Sequence, residues 1–471
     1  MKFKHCLPAI EICLVRLDFK ASLAIWAWAL DTVVGHVSNL ELPDMQELEG
    51  EERFVLESDE NYSKHVTLVQ EVTTLIGSLN ERSKKFEDER IIQLKCCLIK
   101  SCVQLLGKPL SFMNVSTAKN GLPTIAKEAC LKLTHIISSN WSDHVKLMDM
   151  QCFYASCSNS KALAKIDDSE KNQLLFHWTF GIGTLMFTNN EDGQSAIPLC
   201  YDPYYLFNIH LPIVIQMLQF VRGQQPSFYF CHEKALFLCK SLLEKISKGC
   251  VPSDVFEDEK QCELVTKFHQ VVIYHNMESV RKLCFEIYNR YFNVFGQSSD
   301  KSLAMLMNLV LTKANHSGLI GHAIGKLKDH LMKSLQQKII PKELSGSNLH
   351  NLVKRFCKLS NGAETDLLEV SDEVMASLNF LICIFLRDRD NLLCLWDIAS
   401  YVQDDFITPL EKGLGLSKGH YKLKLEEAGS NGNPNSSEVT LMVGGQPLPE
   451  MSKDQMRQVI HSALVSAKYL N

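Results

Sequence analysis

Hydrophobic positions recur along this chain at the three- and four-residue spacing of a helix that buries one face. Val280, Leu283, Cys284, Ile287, Tyr288, Tyr291, Phe292 and Phe295 keep that spacing without a break. Leu349, Leu352, Val353, Phe356 and Cys357 repeat it, as do Leu378, Leu381, Ile382, Phe385 and Leu386, and earlier Leu236, Cys239, Leu242, Leu243 and Ile246. Breaker segments separate these stripes: 222–226, 248–253, 296–300 and 358–362 are rich in Gly, Pro, Ser and Asn. Ser371-Asp372-Glu373 offers helix-capping chemistry, a short polar residue ahead of two acidic first-turn positions. No alternation of strands with helices is present.

The pattern predicts an all-α protein. Helices of roughly 12–18 residues on short turns favour antiparallel pairs stacked as a HEAT-like helical-repeat solenoid, about ten pairs at the usual repeat length. No fixed-period self-similarity is found, so the repeats are degenerate. Residues 1–265 are expected to form N-terminal and central repeats, with an acidic loop at 37–61, and residues 266–471 the C-terminal repeats. Polar insertions at His36–Asn61, Ser158–Asn172 and Asn189–Asp202 read as exposed loops. One segment changes period. Tyr421, Leu423 and Leu425, then Val439, Leu441 and Val443, alternate with other residues across a Gly/Asn-rich link. This predicts a small β-hairpin insertion at about 420–444, followed by a last helix from about Ser452 to Tyr469.

Composition narrows the class. Hydrophobic residues make up 46% and charged residues 22% of the 471, ample for a packed core, and the net charge is −5. That balance lacks the basic signature of a nucleic-acid binder. Acidic residues crowd into Asp44 to Glu60, a solvated loop in its plain reading. The 17 cysteines are scattered over apolar helical positions such as Cys102, Cys239, Cys284, Cys357 and Cys383, with no C-x-x-C, and read as reduced core residues. Glu11, Arg16, Asp18 and Lys20 interrupt the apolar N-terminal stretch, so it is not expected to act as a signal peptide, and Ala21–Leu30 is too short to span a bilayer. A soluble, cytoplasmic protein without membrane insertion is expected.

Catalytic chemistry is not evident. There is no phosphate-binding loop. Gly181-Ile182-Gly183 lacks the third glycine of a dinucleotide site, and no nucleophile elbow or paired-histidine zinc helix appears. Cys231-His232-Glu233 are sequence neighbours on a helix and therefore point apart. His322 and His330, with His316 nearby, leave a metal reading open, but no carboxylate or cysteine completes it. No cofactor is implied and the chain reads as a non-enzyme. Gly318, Gly321 and Gly325 are a different signal, because small residues along one helix admit a close neighbour, either another helix of the fold or a partner. Lys326, Lys328 and Lys333 follow on the same predicted helix as cations able to steer an acidic patch.

Segments between Lys301 and Leu464 carry a family resemblance: Ser302–Leu306, Asn315–Gly318, Gly362–Leu368, Met375–Asn379, Trp396, Pro409-Leu410, Gly413-Leu414, His420-Tyr421 and His461–Leu464. In this order they resemble the glomulin family. The resemblance implies a HEAT-like inhibitor of cullin–RING ubiquitin ligases, which binds the RING-box subunit through its C-terminal repeats and masks the surface that docks the ubiquitin-conjugating enzyme. It implies Lys328, ten residues after Gly318, as the RING-contacting lysine; Lys326, His322 and Lys333, on the same predicted helix, are the further partner-binding candidates. Further implied partners are the cullin, an FK506-binding immunophilin and a receptor tyrosine kinase. A second reading keeps only those last two and makes the chain an adaptor. A further basic contact of the family falls beyond Asn471, so a chain shortened at both ends is expected.

Overall fold

The computed structural model describes residues 2–16, 19–40, 59–84, 90–115, 123–141, 144–156, 168–191, 201–219, 229–247, 250–416, 442–443 and 446–447. In chain order the α-helices are α1 (Lys2–Arg16), α2 (Phe19–Ser38), α3 (Glu60–Ser83), α4 (Arg90–Gly107), α5 (Ile125–Asn140), α6 (His144–Met148), α7 (Met150–Ser156), α8 (Asp168–Glu191) and α9 (Pro203–Met217). They continue with α10 (Tyr229–Lys245), α11 (Glu259–Tyr274), α12 (Glu278–Tyr291), α13 (Asp300–Lys313), α14 (Ser317–Gln337), α15 (Gly346–Phe356), α16 (Ser371–Arg387) and α17 (Ala399–Val402). The expected all-α class is what the described residues show. The expected hairpin at 420–444 falls largely on residues outside them. A two-residue antiparallel ladder, Met442 opposite Pro447 and Val443 opposite Gln446, stands just C-terminal to the pairing anticipated.

Local signals account for the helix ends. Asp59, Thr124, Asp202 and Ser299 each precede a helix and accept a hydrogen bond from a backbone N–H of its first turn, satisfying a donor that has no partner inside the helix. Pro203 opens α9, where its missing N–H costs nothing. α14 ends on Lys338 in the left-handed region (φ 55°), and the Ile339 N–H reaches back to the Ser334 carbonyl at 3.1 Å. The helices run further than the polar loops suggested: α2 continues through His36, and α8 spans from Asp168 to Glu191.

The chain divides into two compact units. One comprises residues 1–247 with 275–287, the other 248–274 with 288–471. In the first, α4 is the central element and packs on α2, α3, α5 and α8. Its Leu94, Leu98, Ile99, Cys102, Val103, Leu105 and Leu106 are wholly buried. At the α4–α8 crossing the two backbones meet: a Cβ on Gly107 would strike the His177 carbonyl, and one on Gly181 the Val103 carbonyl. Gly181 and Gly183 are thus packing residues, which explains glycines that match no cofactor loop. Lys234 of α10 is 3% exposed, and its ammonium donates to the carbonyls of Ser111 (2.9 Å), Met113 (2.8 Å) and Phe230 (3.3 Å). Cys102, Cys239, Cys284 and Cys357 are buried free thiols, as expected, whereas Cys383 is free but only partly buried and Cys96 is disulfide-bonded.

In the second unit, from Tyr288 onward, the expected apolar stripe continues past the end of α12 into a π-turn, Phe292–Gly296. Tyr288, Tyr291, Phe292 and Phe295 are fully buried. Tyr291 stacks on Phe295 at 4.4 Å, and its hydroxyl donates to Gln261 Oε1 at 2.8 Å. α14 buries Leu319, Ala323, Ile324, Leu327 and Leu331, and its most extensive partner is α16. The α16 stripe departs from expectation at its end. Leu378 and Leu381 are buried, but Leu386 is 63% exposed because it lies in the last turn, beyond the packed stretch.

Candidate protein-binding helix

All four residues singled out as partner-binding lie on α14, yet the helix places them on two flanks. His322, Lys326 and Lys333 follow at four and seven residues and share one side. Lys328 is two residues from Lys326, which turns it about 200° around the axis. It stands two turns beyond Gly321 along the same line. The sequence spacing already contained this separation.

The flank of His322 and Lys326 lies against the end of α12 and its π-turn. Lys326 Nζ donates to Asn293 Oδ1 at 3.0 Å. Partial burial depresses its ammonium pKa; Asp329 opposes that, and the neighbouring Lys333 charge adds to it. His322 sits edge-on to Phe292 at 5.9 Å and tilted against Tyr288 at 6.1 Å. Burial, helped by the Lys326 charge, pushes its imidazole down to about 4, so the ring is neutral at physiological pH. Lys333 is exposed. His330 is engaged elsewhere: its Nε2 lies 2.6 Å from Asp300 Oδ1 of α13. The metal reading therefore loses its histidines to separate partners. Among the described residues no group of three or more His, Cys, Asp or Glu side chains is placed to hold a metal ion.

The opposite flank faces α16. A Cβ on Gly321 would come within 2.8 Å of the Asp372 carbonyl oxygen, and one on Gly318 within 3.2 Å of Asp372 Oδ2 and of the His316 ring. These two glycines serve a helix–helix contact inside the fold. Gly325 is different, since a Cβ there would meet nothing within 4 Å. Ser371 does not cap α16 as its sequence position suggested, because it is already inside the helix. The cap comes from α14, whose Ser317 Oγ accepts the Glu373 N–H at 2.9 Å. Beyond this contact Lys328 keeps 28% of its side chain exposed and approaches Asp329 only to 3.7 Å. An exposed pair of that length contributes little, so the Lys328 ammonium is available to another molecule.

Comparison with known proteins converges on the same region. Residues 237–459 match the family described as "Uncharacterised protein family, YAP/Alf4/glomulin". Human glomulin is 28% identical over 295 residues, covering 59% of this chain and 49% of that protein; mouse glomulin is 27% identical over 277 residues, covering 58% and 45%. Nearly half of the chain is thus similar to the glomulin family. The chain spans about half the length of the two glomulins it matches. The family match includes all of α11 to α17, and therefore both flanks of α14. Among the described residues no helix is long and apolar enough to cross a membrane.

Several groups around α14 escaped the sequence reading. His269 reaches the hydroxyl of Tyr288, whose ring, read from sequence only as part of an apolar stripe, lies against His322, and the Glu373 N–H donates to Ser317. Burial pushes the Glu373 carboxyl up to about 7. No spacing rule brings His269 of α11 to α14, because their proximity is a product of tertiary packing.

Proposed function

We propose that this glomulin-like chain is a non-catalytic inhibitor of cullin–RING ubiquitin ligases. In this reading the C-terminal region, 266–471, with its helices stacked in HEAT-like fashion, binds the RING-box subunit. It covers the surface where the ubiquitin-conjugating enzyme docks. The observation that carries the proposal is the coincidence of the family match with a helix whose outer rims carry cations: Lys328 on one side, Lys326 and Lys333 on the other. Masking needs no reagent. It needs roughly 1,200–2,000 Å² of buried surface around a few anchors, with charge to steer the approach.

The test is a pair of measurements on the full chain. Lys328→Glu reverses one charge on an exposed rim and should weaken binding to the isolated RING-box subunit about tenfold, or ~1.4 kcal/mol. The loss should shrink as salt rises. In parallel, saturating amounts of the chain should slow ubiquitin-chain formation by a neddylated cullin–RING ligase. Binding that leaves chain formation at full rate would replace inhibition with an adaptor role. Equal affinity of the variant at low and physiological salt would remove Lys328 from the contact.

A further inference from the structure

α14 starts beside a group of titratable side chains that charge-steered docking does not use. Tyr288 of α12 is the hub and is wholly buried. Its hydroxyl shares a 3.1 Å hydrogen bond with His269 Nε2, and the two rings meet edge-on at 5.4 Å. His322, six residues into α14, lies against the Tyr288 ring. His316, the residue before α14, is close enough to His269 for a charge on one to disfavour a charge on the other.

A neutral imidazole needs one donor and one acceptor partner, whereas an imidazolium is a donor at both nitrogens. His269 has the Tyr288 oxygen at Nε2, but its Nδ1 is buried with no hydrogen-bond partner among the described residues, as is His316 Nδ1. Protonation would leave each with a buried N–H and no acceptor, on a charged ring. The charged groups facing the cluster do not compensate evenly. Lys326 repels a cation on His322. Asp372 of α16 favours one on His316, though burial outweighs it. Glu373, in the same turn of α16, becomes neutral as pH falls below about 7.

We propose that Tyr288, His269, His316 and His322 form an acid-sensitive latch that holds the first half of α14 against the last turn of α12, Tyr288 onward, only while the three rings are neutral. The latch concerns the fold of α14 and does not depend on the identity of any partner. Its sign follows from linkage. His269 and His322 are both held at about 4, below the ordinary 6.5. The stability they contribute is therefore complete above pH 6.5 and is lost as pH falls toward 4. Glu373 works in the opposite direction, because its raised carboxyl gains stability between about pH 7 and 4.5. At pH 5 a histidine so shifted favours opening about 25-fold, less for the partly exposed His322, while Glu373 favours closure about 50-fold. With His316 added, the net rise in opening is on the order of tenfold.

Amide hydrogen exchange on the full chain at pH 7.4 and 5.0, corrected for the intrinsic pH dependence of exchange, reads this directly. Peptides within residues 317–327 should open about tenfold more at pH 5.0. His269→Gln, His316→Gln and His322→Gln together should abolish the rise, and Glu373→Gln should enlarge it to a few hundred-fold. An unchanged rise in the triple variant, or none in the native chain, overturns the latch. Should the triple variant not fold, imidazole titration by NMR in the native chain decides: two rings holding out to about pH 4 support it, and all three titrating near 6.5 refute it.

Discussion

The two units each have one dominant helix crossing, and the two crossings are built differently. At α4–α8 glycines serve both sides, Gly107 against His177 and Gly181 against Val103, and α2, α3 and α5 close over the rest of α4. At α14–α16 only one side is glycine, Gly321 against Asp372, and both rims of α14 remain partly open with cations on them. Lysines follow the same division. Lys234 is enclosed and held by three carbonyls, whereas Lys326, Lys328 and Lys333 reach solvent. A sealed crossing has every face occupied, and what it offers is stability. A crossing with open rims retains surface that the fold does not use, which is where binding can be placed.

The sharpest way to break the comparison is to load both crossings with one methyl group. Gly181→Ala sets a Cβ against backbone that cannot rotate away, so α4 and α8 must separate. We expect a loss of about 3–4 kcal/mol in the first unit, read by urea denaturation with hydrogen exchange resolving the units. Gly321→Ala meets the Asp372 carbonyl at 2.8 Å, a milder overlap, and gains about 1 kcal/mol of helix propensity in return. A net loss of about 1–2 kcal/mol is expected in the second unit. Equal losses at the two sites would mean that the crossings are not different in kind.

How much of this could be read from residues alone varies with what decides each feature. The buried stripe of α12 was legible because one helix's periodicity determines which face is apolar, and seven of its eight positions are buried. The flank assignment was equally available: Lys326 and Lys328 could not share a side at 100° per residue. What escaped depends on a second helix. Ser371 looked like a cap, but Ser317 supplies it from 54 positions away in sequence, because α14 happens to cross at that turn. Gly318, Gly321 and Gly325 looked equivalent, and only the path of α16 separates the first two from the third. The histidine cluster is the extreme case, since its members come from α11, the start of α14 and α14 itself, around a tyrosine of α12.

Gly325→Ala gives the smallest effect and tests the open rim most cleanly. A Cβ at this position meets nothing within 4 Å, and the residue lies inside a regular helix, where its backbone freedom is lost on folding without a compensating contact. Alanine should therefore stabilise the second unit by about 0.5–1 kcal/mol, opposite in sign to Gly321→Ala one turn earlier. A destabilised variant would mean that α14 has a neighbour at Gly325 in solution, and the rim would no longer count as surface. If stability rises as expected, RING-box affinity becomes the second reading. A weakened complex would place the partner directly over Gly325, while unchanged binding would leave the contact to the lysine-bearing rims.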